Sequence, residues 1–203
     1  FSHRMTRLYK VAETIRSFIA LEIPKNIISQ IRQVQNDIKA YDFKAHDIKI
    51  RWSRPENIHL TLSFLGDIDE SQILMAKNAI KVSSTQYTPL NLSAKRVGVF
   101  PNMKRPKVLW IGLGGQIDIL SAIQKKLNQN LERSGFNIEK RPFKGHLTIG
   151  RIKGGKLPGL FGDVINQYND FKTENFICRE VVLFNSDLKP TGPVYTRLFS
   201  AEL

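Results

Sequence analysis

The chain has 203 residues, 41% of them hydrophobic, with a mean hydropathy of −0.25, so it can bury a full core and is too polar overall for a membrane-embedded protein. Its 31 Lys and Arg against 18 Asp and Glu give a formal net charge of +13, which favours polyanionic partners such as nucleic acids or nucleotides. One cysteine, Cys178, excludes an internal disulfide, and its apolar neighbours Phe176 and Ile177 read it as a small core residue rather than a nucleophile. No apolar run reaches the length of a membrane span and no secretory signal is recognised, so a cytoplasmic protein without a membrane partner is expected.

Residues 1–13 show no clear periodicity and are read as an N-terminal extension, in part a cloning remnant, with His3 outside the chemistry. The folded domain is expected over 14–203. A strand over 15–23, with Arg16, Phe18 and Ala20 on one face, leads to Pro24, which opens a helix with Ile27, Ile28, Ile31, Val34 and Ile38 at helical spacing. His46 lies in the polar stretch that follows and, with no Thr two residues on, is read as a surface residue. Strands are predicted over 48–52 and 58–65, the second ending at Gly66-Asp67, and a helix over 69–82. The second half repeats this rhythm. Strands over 90–100 and 108–113 flank a loop with two prolines and three cations, and a helix over 117–131 stops near Gly135. A strand over 146–152, a short helix over 160–168, and an antiparallel pair over 176–184 and 194–199 complete the chain. The fold class expected is mixed α+β: two pseudo-symmetric lobes whose antiparallel sheets face a central groove, with helices outside.

Two copies of one pattern stand out: His59-Leu60-Thr61-Leu62 and His146-Leu147-Thr148-Ile149, 87 positions apart (146 − 59). With four His and nine Thr in the chain, chance supplies only about 0.2 His-x-Thr matches. In an extended strand side chains alternate, so each His points the same way as its Thr, while the apolar residues between them face the core. Two imidazoles and two hydroxyls in one cleft suit phosphoryl chemistry. One imidazole can take a proton from the attacking oxygen and the other can give one to the leaving oxygen, while the hydroxyls donate to the non-bridging oxygens. Which His does which is open at this point.

At these residues the chain resembles the two-histidine phosphoesterase superfamily, specifically the bacterial and archaeal RNA 2′,3′-cyclic phosphodiesterases formerly called 2′-5′ RNA ligases. Besides the two motifs, the run from Arg16 to Pro24 looks like that family's opening strand. Trp52 with the run from Asn57 to Gly66 looks like its first motif block, and the run from Phe143 to Arg151 like its second. Gly145 stands where the family usually has Pro. The resemblance implies a bilobal fold and hydrolysis of an RNA terminal 2′,3′-cyclic phosphate to a 2′-phosphate, with weak reversible 2′-5′ ligation. It further implies His146 as general base, His59 as general acid, Thr61, Thr148 and Arg151 as phosphate-binding groups, and Phe18 at the groove, where an aromatic can stack on the terminal base. The partners implied are RNA with cyclic phosphate ends, tRNA fragments among them, bound by a monomer with no cofactor and no metal.

The sequence has no His-Glu-x-x-His, no paired Cys, no Gly-x-Ser-x-Gly elbow and no Gly-x-x-x-x-Gly-Lys-Ser/Thr loop. Two readings remain beside the first: a two-histidine enzyme acting on 2′-5′ oligonucleotides or another cyclic nucleotide ester, and a non-catalytic RNA-binding protein.

Overall fold

The structure is a computed structural model that describes residues 13–41, 48–154 and 159–203. His3, His46 and the extension before residue 13 lie outside the described residues. The described chain runs β1 (Ile15–Glu22), α1 (Lys25–Lys39), β2 (Ile48–Trp52), a 3-10 turn (Pro55–Asn57), β3 (His59–Ile68), α2 (Glu70–Ser84), β4 (Leu90–Phe100), β5 (Val108–Gly115), α3 (Ile117–Arg133), β6 (His146–Gly154), α4 (Gly159–Asn166), β7 (Phe176–Cys178), β8 (Glu180–Lys189) and β9 (Gly192–Glu202).

All pairings between these strands are antiparallel, in the order β7-β4-β5-β6-β3-β1-β8-β9, with β2 beside the outer half of β6. The two expected half-sheets are therefore one sheet, joined where Leu60 of β3 faces Leu147 of β6. The predicted strand over 176–184 is two strands. It breaks at Arg179, β7 pairing with β4 and β8 with β1. Because one residue separates strands at distant places in the sheet order, the sheet must curl round on itself, and the Cys178 Sγ indeed lies 3.6 Å from the Glu22 carbonyl of β1.

The helices cover the outer face of this curled sheet. α1 follows Pro24, whose carbonyl accepts the N–H groups of Ile27 and Ile28, and it buries Ile27, Ile31, Val34 and Ile38 on one stripe. α2 is capped by Asp69 and Gln72, each side chain bonded to the other's backbone N–H. α3 buries Leu120, Ile123, Leu127 and Leu131, and ends before Gly135, whose φ of +88° few other residues adopt. These stripes and the outward residues of the sheet form one core, whereas Phe18, Ala20, Val182 and Phe184 form a small separate cluster on the inner face.

Two irregularities shape that inner face. Opposite β1, Leu62 is an extra residue between Thr61, paired with Ala20, and Ser63, paired with Ile19. Opposite β5, Ile149 is extra between Thr148, paired with Trp110, and Gly150, paired with Leu109. The two bulges are again 87 positions apart (149 − 62) and re-phase the strand beyond them. β3 also runs three residues past its expected end, to Ile68. Gly66, at φ +71°, takes the left-handed conformation beside a second bulge, so pairing resumes from Ser17–Gly66 to Ile15–Ile68.

Each first bulge is pinned from the other lobe. Gln35 of α1 is fully buried, and its Nε2 donates to the Ile149 carbonyl at 2.8 Å and the Ser53 carbonyl at 2.9 Å. Gln124 of α3 donates to the Leu62 carbonyl at 3.3 Å. Carbonyls that the bulges take out of register are thus satisfied by amides from helices packed behind the sheet.

Candidate active site

His59 and His146 are each the first residue of a motif strand, and the first six residues of β3 and β6 share one pattern of half-buried, buried, half-buried, buried, buried, exposed. Extending the Leu60–Leu147 register by one residue sets His59 opposite Thr148 and Thr61 opposite His146. The four side chains make a quartet on the inner face, imidazole diagonal to imidazole.

The two rings are held alike. The Nδ1 of His59 lies 2.7 Å from the Asn57 carbonyl, and that of His146 lies 2.6 Å from the Lys144 carbonyl. A carbonyl only accepts, so Nδ1 carries the proton in both rings and Nε2 is left as the exchanging atom. Burial lowers the pKa of each His below its usual 6.5, opposed by the carbonyl bond, and Arg151 lowers that of His146 further. Glu22 pairs with His59 across β1 and β3, but its carboxylate is turned to Arg197 at 3.0 Å.

Arg151 stands three residues past Thr148, which strict alternation would turn to the opposite face. The Ile149 bulge returns it to the inner face, where it pairs with Val108 on one side and Arg51 on the other. Arg51, missed in the sequence, is thus directly opposite a like charge, an arrangement that an anion between them relieves. These two and Arg16 surround Tyr195: burial raises its phenol pKa, and the three guanidiniums act in the opposite direction. The same phase change in the first lobe brings Phe64 to the inner face opposite Phe18, 61% exposed.

Phe18 does not stand free in the groove. It is 3% exposed, stacked on the His59 ring at 4.6 Å and 26° and on Phe184 at 5.2 Å and 17°, with Tyr195 edge-on at 4.9 Å. Its faces are taken by protein rings, so the expectation of base stacking is corrected to a buried support for His59. His146 has one edge contact, to Phe100 at 5.0 Å. Tyr195, Phe100 and Trp110 carried no sequence signal, because each comes from a strand distant from its motif. Gly145, where a Pro was expected, lies close under Leu113 and Leu120: a Cβ there would meet their methyls at 3.2 and 3.3 Å.

Beside His146 is a pocket of about 390 Å³ lined by Lys95, Arg96, Phe100, Trp110, Lys144 and neighbouring backbone. A hollow of about 440 Å³ near Tyr41 and Tyr168 is lined by neither His and by no cation, and it plays no part in the site. Among the described residues no three His, Cys, Asp or Glu side chains gather as ligands for a metal ion, and no helix is long and apolar enough to cross a membrane.

A groove floored by two His-x-Thr strands, with cations beside them, defines the two-histidine phosphoesterase class. The chain belongs to the LigT-like phosphoesterase family, whose pattern it matches over residues 21–110 and 113–195. It is 33% identical over 181 residues to an RNA 2′,3′-cyclic phosphodiesterase of Methanocaldococcus jannaschii, covering 89% of this chain and 96% of the relative. It is 29% identical over 182 residues to one of Methanothermobacter thermautotrophicus, covering 90% and 95%. Among solved structures, that of E. coli LigT complexed with 3′-AMP superposes with a TM-score of 0.72 at 22% identity over 94% of this chain and 99% of LigT. One from Thermus thermophilus reaches 0.74 at 21% identity over 93% and 98%. At these identities the two structures speak to the fold alone.

Proposed function

We propose that the protein hydrolyses the 2′,3′-cyclic phosphate at the end of an RNA to a 2′-phosphate. The observation that carries this reading is the matched pair of imidazoles on adjoining strands, each with Nδ1 tied to a carbonyl and Nε2 available, each with a Thr hydroxyl on the same face. The names of the relatives supply the substrate class.

In the reaction, His146 Nε2 takes a proton from water as the water oxygen bonds to phosphorus. The bond from phosphorus to O3′ breaks, and protonated His59 Nε2 gives its proton to O3′, leaving the phosphate on O2′. Thr61 and Thr148 donate hydrogen bonds to the non-bridging oxygens, whose charge Arg151 and Arg51 balance. The catalytic steps use the chain's own side chains, so turnover persists in excess chelator.

The test is turnover of a short RNA ending in 2′,3′-cyclic phosphate, in chelator, with the product read by phosphorus NMR. A 2′-phosphate made by the wild type and lost in His59→Ala and His146→Ala supports the reading. Binding without turnover of any cyclic or 2′-5′ ester by folded protein overturns it in favour of RNA binding alone. The division of roles is checked with a 3′-thio substrate, whose leaving group needs no proton: it restores His59→Ala and leaves His146→Ala inactive.

A further inference from the structure

The two ends of the groove are not equivalent. At the His59 end the space beside the imidazole is filled by Phe18 and Phe184, 3% and 6% exposed, with Tyr195 packed against them. At the His146 end the corresponding strands leave the pocket of about 390 Å³ open, a size typical of small-ligand sites, about 300–1,000 Å³. Strand pairing makes the comparison direct. Trp110 opposite Thr148 occupies the place that Ala20 takes opposite Thr61. Gly98 sits beneath Trp110, where a Cβ would come within 2.3 Å of the indole.

The wall and rim of this pocket differ in chemistry. Phe100 and Trp110 lie 5.1 Å apart, both partly exposed, and form an aromatic wall that reaches His146. Lys95, Arg96 and Lys144 form an exposed rim, with the Lys144 Nζ 5.9 Å above the Phe100 ring. Among the described residues none of the three belongs to an ion pair. Arg96 holds φ +58° at the bulge between Lys95 and Val97, a left-handed conformation rare for a side chain of this kind, and its N–H is anchored on the Phe171 carbonyl. The bulge breaks the alternation of β4 and brings two successive cations to the rim, at a cost in backbone strain that the surrounding structure must support. Aromatic surface with unpaired cations at its edge is the combination that single-stranded nucleic acid requires, a face for the base and charge for the backbone.

We propose that the pocket beside His146 is a second nucleotide subsite, reached by the RNA strand folding back from the terminal ribose, which the leaving O3′ holds on the His59 side of the reacting phosphate. The base of the nucleotide next to the cyclic phosphate lies against Phe100 and Trp110, and its phosphate meets Lys95, Arg96 and Lys144. The proposal rests on the RNA reading above and deepens it, since the protein then selects an oligonucleotide over a mononucleotide.

The experiment compares kcat/KM for adenosine 2′,3′-cyclic phosphate and for the ApA dinucleotide carrying the same end, in wild type and in Lys95→Ala/Lys144→Ala. The wild type is expected to prefer the dinucleotide by about tenfold or more, within what stacking one base contributes, and the double variant by no more than about twofold. Equal use of both substrates by the wild type, or an unchanged preference in the variant, overturns the subsite. A second measurement needs no turnover: in Trp52→Phe, where Trp110 is the remaining tryptophan, the 2′-phosphate product of ApA quenches fluorescence at concentrations where adenosine 2′-phosphate does not. Quenching without hydrolysis of either substrate would keep the subsite and reject the proposed reaction. Hydrolysis with no dinucleotide-specific quenching would do the reverse.

Discussion

Each imidazole is bonded at one nitrogen and available at the other, and that division has measurable consequences. Removing either, as His59→Ala or His146→Ala, is expected to lower kcat by about 10²–10⁴-fold, the range for loss of a positioned acid or base, in single-turnover assays. The proposed reaction requires one neutral and one protonated imidazole, and burial lowers both pKa values. The bell of kcat/KM against pH is therefore centred on the acidic side of the usual imidazole value of 6.5, and activity falls as pH rises through neutrality. A maximum above neutral pH in a pH–rate profile would contradict this. Phe18→Leu opens the packing over His59, and its NMR titration should move up toward the ordinary value while the fold survives. Cys178 is 3% exposed with its thiol pushed up to about 12, so it should resist thiol reagents until the protein unfolds.

At the scale of the element, the two bulges decide which side chains reach the groove. Sequence alternation places His59, Thr61, His146 and Thr148 on one face, because those residues precede the extra residue in each strand. It places Arg151 and Phe64 wrongly. No local signal marks Leu62 or Ile149 as extra, since the bulges are stabilised by Gln124 and Gln35 from helices distant in sequence. The Gln35→Leu variant leaves the Ser53 carbonyl without its donor and the Ile149 carbonyl with the Ser53 N–H at 3.0 Å in place of two donors, at about 1–3 kcal/mol, the usual cost of an unsatisfied buried group. It should lower Tm and raise KM through Arg151 more than it lowers kcat. Equal stability to wild type in denaturant melts would sink that account. Gly98→Ala tests the neighbouring strand: its methyl collides with Trp110, a strain of about 1–3 kcal/mol for overpacking.

Over the whole molecule, charge and burial act together. A net charge of +13, with Arg51, Arg151, Lys95, Arg96 and Lys144 beside the site, makes the proposed binding of RNA salt-dependent. KM for an RNA oligomer should rise steeply with added KCl while kcat stays near constant, as steady-state assays at several ionic strengths would show. Both His pKa values are lowered on folding, so below pH 6.5 the unfolded chain binds more protons than the native one. Stability is full above that value and declines as pH falls toward the folded pKa values. Thermal melts from about pH 7.5 to about pH 5 should show this decline, and His59→Gln should flatten it.

The sequence by itself determined the elements, the core stripes of α1 and α3, and the two motif strands, because periodicity, capping residues and turn glycines are local and repeat at fixed spacing. It also carried the family, since the two His-x-Thr blocks and the opening strand are contiguous. Tertiary structure alone decided that the half-sheets join at Leu60 and Leu147, that the segment after Phe176 divides at Arg179, that Phe18 lies under His59, and that Arg51, Phe100, Trp110 and Tyr195 border the quartet. Each of these depends on pairing between strands far apart in the chain, and register between distant strands is set by how the whole core packs, which no window of sequence contains.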